Sequence, residues 1–280
     1  MCGISGIIGK QANITSITKM TDVLYHRGND NISHFVEKDL AFGHNRLSII
    51  DLNTVANQPF QKTNFPYILV FNGEIYNYIE LKEELINLGY PFETSSDTEV
   101  LYTSFLEWGE SCLNKLNGMF AFAIWDRYKE YFFVARDRFG VKPFYYYHDD
   151  DNFIFASEIK AIHKLVQTKL NDEVLANYLM YGSYGLPSQT FYADIHQLPG
   201  GYQLKLKRGK LKVNPWYDFV ARIKNKQEEL SQITEDEAKK QYKVLLEKSI
   251  ALRFRADVPV GFNLSGGVDS SLLLALVNQR

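Results

Sequence analysis

Short apolar stretches with two-residue alternation dominate the first 160 or so positions. Cys2–Gly9, Leu40–Ile50, Tyr67–Ile75, Met119–Asp126, Tyr131–Asp137 and Asn152–Ser157 are rich in β-branched and aromatic residues and predict strands. Helical spacing of apolar positions appears between them, at Ile14–Tyr25, Ile79–Leu88, Thr98–Trp108 and Ser111–Leu116. Asp97 is positioned to cap the third of these helices, and Gly118 to end the fourth. Antiparallel strands with helices set between them in pairs predict helix layers packed on sheets.

The pattern changes beyond residue 160. Asp172–Tyr181 is helical, and Gly201–Leu206 and Leu211–Trp216 form a hairpin through Arg208-Gly209. Ala221–Ser231 is polar and charged and reads as a linker. Thr234–Arg255 is a long amphipathic helix opened by Thr234-x-x-Glu237, the spacing of a capping box. Pro259–Leu264 then predicts an apolar strand, which feeds Ser265-Gly-Gly-Val-Asp-Ser270 and a helix from Ser271 to the end. That helix is apolar at Leu272, Leu273, Leu274, Leu276 and Val277, a face that one strand and one helix cannot bury, so the second domain is expected to continue in a longer protein. The chain has no internal repeats and no low-complexity tracts.

Composition narrows the class. Aromatics make up 14% of the 280 residues, with 19 Phe and 18 Tyr, which implies large buried sheets. A formal net charge of −2 gives no general field for nucleic acid or anionic lipid. The basic run Lys205–Lys212 alternates around Arg208-Gly209 and is a solvated hairpin face. No apolar run approaches the roughly 18 residues that span a bilayer, and the N-terminus lacks the flank and length of a signal peptide. The two cysteines, Cys2 and Cys112, cannot build a disulfide framework, which fits a reduced, cytoplasmic setting. His26, His34, His44, His148, His163 and His196 are scattered without metal-ligand spacing. Cys112, in a helical run, is a core residue.

Cys2 has two readings. As a free cysteine it starts a core strand. As the mature N-terminal residue, after loss of Met1, it is a nucleophile with its own base, because an α-amine of pKa about 7.7–8.0 can take the thiol proton and return it. Phe71-Asn-Gly-Glu-Ile75 also has two readings. It is either an Asn-Gly hairpin turn or an oxyanion hole, with the Asn72 amide and Gly73 N–H facing charge on an acyl carbon. Arg46 and Asp97 are each an ordinary ion-pair or capping residue; together they suit the carboxylate and ammonium of an α-amino acid. Ser265–Ser270 lacks the Gly-Lys-Ser/Thr of a Walker loop. It is either a plain strand–turn–helix or an anion site made by glycine N–H groups at a helix N-terminus.

Taken in order, Met1-Cys-Gly-Ile-Ser-Gly-Ile7, His26-Arg-Gly28, Arg46-Leu-Ser-Ile-Ile-Asp51, Asn72-Gly-Glu-Ile-Tyr-Asn77, Ser96-Asp-Thr-Glu99, Asn117-Gly-Met-Phe-Ala-Phe-Ala123, Ala135-Arg-Asp-Arg-Phe-Gly140 and Phe155-Ala-Ser-Glu-Ile-Lys160 resemble the glutamine-hydrolysing asparagine synthetase family over essentially the whole chain. The resemblance implies an α+β fold: a four-layer αββα N-terminal-nucleophile glutaminase sandwich over residues 2–210. A linker and the first part of a Rossmann-like α/β ATP pyrophosphatase domain follow over 211–280. It implies that Cys2 attacks the glutamine side-chain amide and forms a γ-glutamyl thioester, while Asn72 and Gly73 stabilise the oxyanion. Arg46 would bind the α-carboxylate, Glu74 and Asp97 would face the α-amino group, and Leu47, Ser48, Ile49 and Ile50 would line the pocket.

Ser265–Ser270 resembles the pyrophosphate loop of ATP pyrophosphatases. This implies ATP on Leu264, Ser265, Gly266, Gly267, Asp269 and Ser270, with Mg²⁺ placed by Asp269, and no cofactor for glutamine hydrolysis itself. The implied acceptor is a carboxylate activated by adenylation, aspartate in most of the family and a sugar acid in some similar proteins. A non-catalytic module of the same fold is the alternative from another class. Nucleic acid and membrane are not implied partners; a homodimer is. One departure stands out: Asn29 occupies the place where the family usually has proline, in a loop expected to fold over the glutamine site.

Overall fold

The computed structural model describes residues 1–278. Gln279 and Arg280, the last positions of the second expected domain and of its final helix, lie outside the described residues. The chain divides into two compact units: residues 1–48 with 53–217, and residues 218–280 with 49–52. The β-hairpin near residue 208 belongs whole to the first unit.

In the first unit β1 (Gly3–Gly9), α1 (Ile14–Asp22), β2 (Asn31–Glu37), β3 (Leu40–Arg46), β4 (Tyr67–Ile75), α2 (Tyr78–Asn87) and α3 (Asp97–Trp108) come first. Then follow β5 (Gly118–Asp126), β6 (Tyr131–Arg136), β7 (Tyr145–His148), β8 (Asn152–Ala156), α4 (Ile159–Ile162), α5 (Asp172–Tyr181), β9 (Ile195–Gln197), β10 (Tyr202–Lys207) and β11 (Lys210–Pro215). The strands build two sheets, ordered β2-β3-β1-β8-β7-β9 and β11-β10-β6-β5-β4, and every pairing is antiparallel. Arg208 and Gly209 make the β10–β11 turn, both with positive φ.

Three apolar layers explain the order. Ile17, Met20 and Leu24 of the α1 region join Ala161 and Ile162 of α4 on one face of the first sheet. Leu81 and Leu85 of α2 and Val100, Leu101 and Phe105 of α3 cover the outer face of the second. Between the sheets lie Phe42, Phe132, Phe144, Phe153 and Phe155. Alternate residues of each strand point to opposite faces, so Phe132 enters the inter-sheet layer while Phe133 packs under α3. Phe42 meets Phe155 edge to face at 5.6 Å, a favoured aromatic arrangement.

In the first unit the expected strands fall where alternation places them, with ends that differ by a residue or so except at β3. The strand expected over Leu40–Ile50 stops at Arg46, so Leu47–Ile50 are not strand. Strands β2, β7 and β9 lack a strong apolar run and were not expected from the pattern. Ser111–Leu116 is a 3₁₀ segment, Gly109–Asn114, and Gly118 begins β5 instead of ending a helix. Ser96, not Asp97, caps α3: the Ser96 hydroxyl accepts from the Thr98 N–H.

The second unit is helical: α6 (Phe219–Leu230), α7 (Glu235–Arg253) and α8 (Val268–Asn278). The expected linker over Ala221–Ser231 is corrected to a helix, because the Asp218 side chain caps it by accepting from the Ala221 N–H at 2.9 Å. The capping box on α7 forms with both of its bonds. Pro259–Leu264 is not a strand. No other strand lies among the described residues of this unit, so its backbone has no ladder to join. Among the described residues, no helix is long and apolar enough to cross a membrane.

Phe132 is fully buried against Phe42, Phe153 and Phe155. Phe132→Ala should lower stability by about 3–5 kcal/mol through lost burial and an unfilled cavity, read as a shifted urea midpoint at constant m-value.

Candidate active site

Cys2 lies one residue outside β1, the central strand that pairs with β3 on one side and β8 on the other. Its thiol donates to the Leu47 carbonyl at 3.5 Å, and its Sγ accepts from the Leu47 N–H at 3.4 Å. Burial raises the Cys2 pKa; the Leu47 hydrogen bond, the N-terminal ammonium and Lys142 pull it down, and Asp97 pushes it up. Cys112, by contrast, is buried in the core under α3, where burial raises its pKa far out of a reactive range.

Asn72 and Gly73 sit inside β4, opposite Ala121 and Phe120 of β5, so the turn reading of Asn-Gly is wrong. A Cβ on Gly73 would come within 2.2 Å of the Met119 carbonyl oxygen, which is why glycine fits there. Strand β4 is the edge of its sheet. At such an edge every second N–H points away from the ladder. Here Leu69 donates to the Phe60 carbonyl at 2.9 Å, Phe71 to Gln58 Oε1 at 2.6 Å, and Ile75 to Asp97 Oδ2 at 3.0 Å. Gly73 shares their phase. Its neighbour Phe120 turns its own backbone to Asp137, accepting from the Asp137 N–H at 2.8 Å and donating to Oδ2 at 3.2 Å. Among the described residues the Gly73 N–H has no partner, and the buried Asn72 amide has none on either Nδ2 or Oδ1. Buried polar groups are rarely left so. Here two adjacent ones stand unpaired at a strand edge.

Charged groups collect around this edge. Asp97 is buried at the start of α3; burial pushes its pKa up to about 7 against the Ile75 hydrogen bond, and Glu74 pushes the same way. The Glu74 carboxyl is also raised by burial, and Lys142 and the N-terminal amine oppose that. The N-terminal amine is lowered by burial, raised by Cys2 and Glu74, and lowered by Lys142 and Arg27. Sequence reasoning missed Lys142 and Arg27. Lys142 is buried with Nζ 3.1 Å from Met1 Sδ. A lysine inside the otherwise uncharged run Phe139–Tyr147 was the available signal.

Arg46 is buried at the end of β3, and its Nη1 donates to the Asn53 carbonyl at 2.8 Å and to Asn57 Oδ1 at 2.7 Å. The loop with Asn29 is held without a proline. Asp30 donates its N–H to the Arg46 carbonyl at 3.0 Å and accepts from the Ser48 N–H on Oδ2 at 2.7 Å. Ile49 and Ile50 fall in the second unit, where the Ile49 carbonyl accepts from the Asp257 N–H at 2.8 Å.

Residues 1–217 match the family model described as a glutamine amidotransferase domain. The chain belongs to that family. Residues 241–280 match a second model, described as asparagine synthase. The whole chain is similar to proteins named glutamine-hydrolysing asparagine synthetase. "Asparagine synthetase [glutamine-hydrolyzing] 1" of Bacillus subtilis is 36% identical over 100% of this chain and 44% of its own length. "Putative asparagine synthetase [glutamine-hydrolyzing] 2" of Methanocaldococcus jannaschii is 35% identical over 100% of this chain and 57% of its own length. The chain thus spans about half the length of these relatives. In fold, the amidotransferase domain is similar to the glutamine phosphoribosylpyrophosphate amidotransferase of Bacillus subtilis. That match has a TM-score of 0.58 at 23% identity, over 77% of this chain and 49% of the other.

The amidotransferase unit does not contain the phosphate-loop residues; these open α8 in the second unit. Leu264, Ser265, Gly266, Gly267 and Asp269 are exposed there. The Ser265 and Ser270 hydroxyls lie 3.0 Å apart, and Ser270 donates to the Gly267 carbonyl at 3.0 Å. Among the described residues, no group of three or more His, Cys, Asp or Glu could hold a metal ion, so Asp269 is a single carboxylate.

The raised Asp97 pKa has a sign that can be checked. Between the ordinary value of 3.8 and about 7, the folded chain holds a proton that the unfolded chain has lost. Stability contributed by the protonated form is full below pH 4 and is lost as pH rises through 7. Asp97→Asn, which keeps an acceptor for the Ile75 N–H, should match wild type near pH 4 and exceed it in melting temperature at pH 8.

Proposed function

We propose that the first unit hydrolyses glutamine to glutamate and ammonia, with Cys2 as nucleophile once Met1 is removed. The observation that carries this is the pair of donors without a partner among the described residues, Asn72 Nδ2 and the Gly73 N–H, at an edge whose N–H groups at Leu69, Phe71 and Ile75 are satisfied. An unpaired donor pair costs stability in the resting protein and is useful only when an oxyanion fills it.

The freed Cys2 amine takes the thiol proton. At the Met1 amine, burial first and then Lys142 and Arg27 favour the neutral form; we propose that the same two cations act on the Cys2 amine once Met1 is gone. The thiolate attacks the side-chain amide carbon of glutamine, and the oxyanion accepts from Asn72 and Gly73. The ammonium returns its proton to the departing nitrogen, which leaves as ammonia, and water then cleaves the thioester. We assign the substrate α-carboxylate to Arg46 and its α-ammonium to Asp97 and Glu74, with Leu47 and Ser48 beside the thiol and Ile49 and Ile50 next in sequence.

For the second unit we propose the start of a Rossmann-like ATP pyrophosphatase domain, with the domain change at the 217/218 boundary of the compact units. Glycines and serines at a helix N-terminus suit a polyphosphate: Ser265, Gly266, Gly267 and Ser270 would hold its oxygens, with Leu264 beside the nucleotide. Asp269 fits as one ligand of Mg²⁺, an ion bound by one or two carboxylates plus substrate phosphates. ATP supplies the activation of a carboxylate as its adenylate. In the whole protein the ammonia would amidate that carboxylate, which we take to be aspartate from the names of the relatives and the match over residues 241–280.

The test is glutamate release from glutamine by protein whose N-terminus is confirmed as Cys2 by mass spectrometry. Wild type should release glutamate, and Cys2→Ala should release none; a silent, folded and processed wild type overturns the reading. The KM for glutamine should rise about tenfold per unit as pH falls below 7, because protonated Asp97 cannot pair with the substrate ammonium. Asp97→Asn should raise KM at all pH values and remove that slope.

A further inference from the structure

Cys2 is outside the β1 ladder, and chain ends fray unless something ties them down. Two residues further on the chain is tied well: Ile4 donates its N–H to the Ser157 hydroxyl at 3.0 Å, and its carbonyl accepts from the Ser157 N–H at 2.9 Å. The main chain of Cys2 itself is gripped by one side chain. Arg27 donates from Nε to the Cys2 carbonyl at 3.0 Å. The Arg27 side chain is only 9% exposed, and its Nη1 donates to Glu158 Oε1 at 2.9 Å. Its Nη2 is buried with no partner among the described residues.

We propose that Glu158 is a positioning residue for the nucleophile: its carboxylate fixes the Arg27 guanidinium, which in turn fixes the Cys2 main chain. The inference rests on the glutaminase reading above and adds a residue to it. Arg27 comes from the 3₁₀ segment Tyr25–Arg27, and Glu158 directly follows Ser157. The stretch after β8 thus holds the N-terminal strand twice, at Ile4 directly and at Cys2 through Arg27. The planar guanidinium suits the task, because it reaches a carbonyl and a carboxylate at once in fixed relative geometry. Without Glu158, the Arg27 side chain keeps its charge but loses the contact that sets its rotamer. The amine and thiol of a terminal residue then drift relative to the Asn72–Gly73 donors, and displacements of about 1 Å are enough to cost about 10²-fold in rate.

Glu158 also meets His26 Nε2 at 2.8 Å and Lys160 Nζ at 3.1 Å. Burial pushes the Glu158 carboxyl up, but the hydrogen bonds from Arg27, His26 and Lys160 outweigh it and bring it down to about 2. The brace is therefore charged throughout the working pH range and adds no pH dependence of its own near neutrality.

The test uses the full chain with a confirmed Cys2 terminus. Wild type, Glu158→Gln, Glu158→Asp and Lys160→Gln are compared by glutamate release, by the rate of Cys2 alkylation with iodoacetamide, and by thermal melting. Glu158→Gln should lower kcat by about 10²-fold and leave KM within about threefold, a loss realised in the transition state rather than in binding. Cys2 alkylation should slow in the same variant while it stays folded at the assay temperature, with a melting temperature lowered by the lost ion pairs. Glu158→Asp should recover part of the loss, and Lys160→Gln should behave as wild type. If Glu158→Gln melts below the assay temperature, Glu158→Asp carries the same comparison. A folded Glu158 variant with wild-type kcat and alkylation rate overturns the proposal. If wild type releases no glutamate, the glutaminase reading fails by itself, and the alkylation series still decides whether Glu158 positions Cys2.

Discussion

The arrangement depends on the N-terminal strand being the centre of a sheet. Strand β1 is hydrogen-bonded on both sides, to β3 and β8, and its side chains enter apolar layers on both faces. A strand so enclosed has one register, since a shift by one residue would exchange its two faces. Fixing β1 brings position 2 to the end of the first sheet, beside the Leu47 backbone. On the proposed function Cys2 carries its own base, so it has to be terminal, and a terminal residue has to be immobilised. The central strand achieves most of that, and the Ser157, Arg27 and Glu158 contacts complete it.

The second sheet contributes through its edge. An exposed strand edge is ordinarily a liability that proteins cover. Strand β4 is covered at Leu69, Phe71 and Ile75 by a main-chain bridge, a buried glutamine and a buried aspartate, and left open at Gly73. Gln58 serves two elements, accepting from Phe71 and donating to Thr98 Oγ1 at 3.2 Å. It thereby sets β4 against the helix that carries Asp97. The same burial that locks Asp97 in place raises its pKa, so on the proposed function substrate recognition and pH dependence share one cause.

Much of this was legible in the sequence, for reasons tied to particular residues. The run Tyr67–Ile75 predicts β4 with the bounds it has, because its alternation and β-branched content are unbroken. The Thr234–Glu237 spacing predicts the cap of α7, because that motif is local. Strands β2 and β7 escaped because Asn31–Glu37 and Tyr145–His148 are held by neighbours rather than by their own apolar content. Pro259–Leu264 looked like a strand, but strand formation needs a partner ladder. Ala221–Ser231 looked like a linker, but Asp218 caps it as a helix.

For the site, sequence alone determined which groups are available: a thiol at Cys2, a guanidinium at Arg46, an amide at Asn72 beside the main-chain N–H of Gly73, and a carboxylate at Asp97. Only the tertiary structure decided which donors are unsatisfied and which cations press on the terminus. The phase of β4 and the covering of its edge leave Gly73 open. The packing of the segment after β6 buries Lys142 near Met1, and the segment after β8 delivers Glu158 to Arg27. The last two relations join residues more than a hundred positions apart, and all of them follow from strand order and burial, which no local spacing in the chain records.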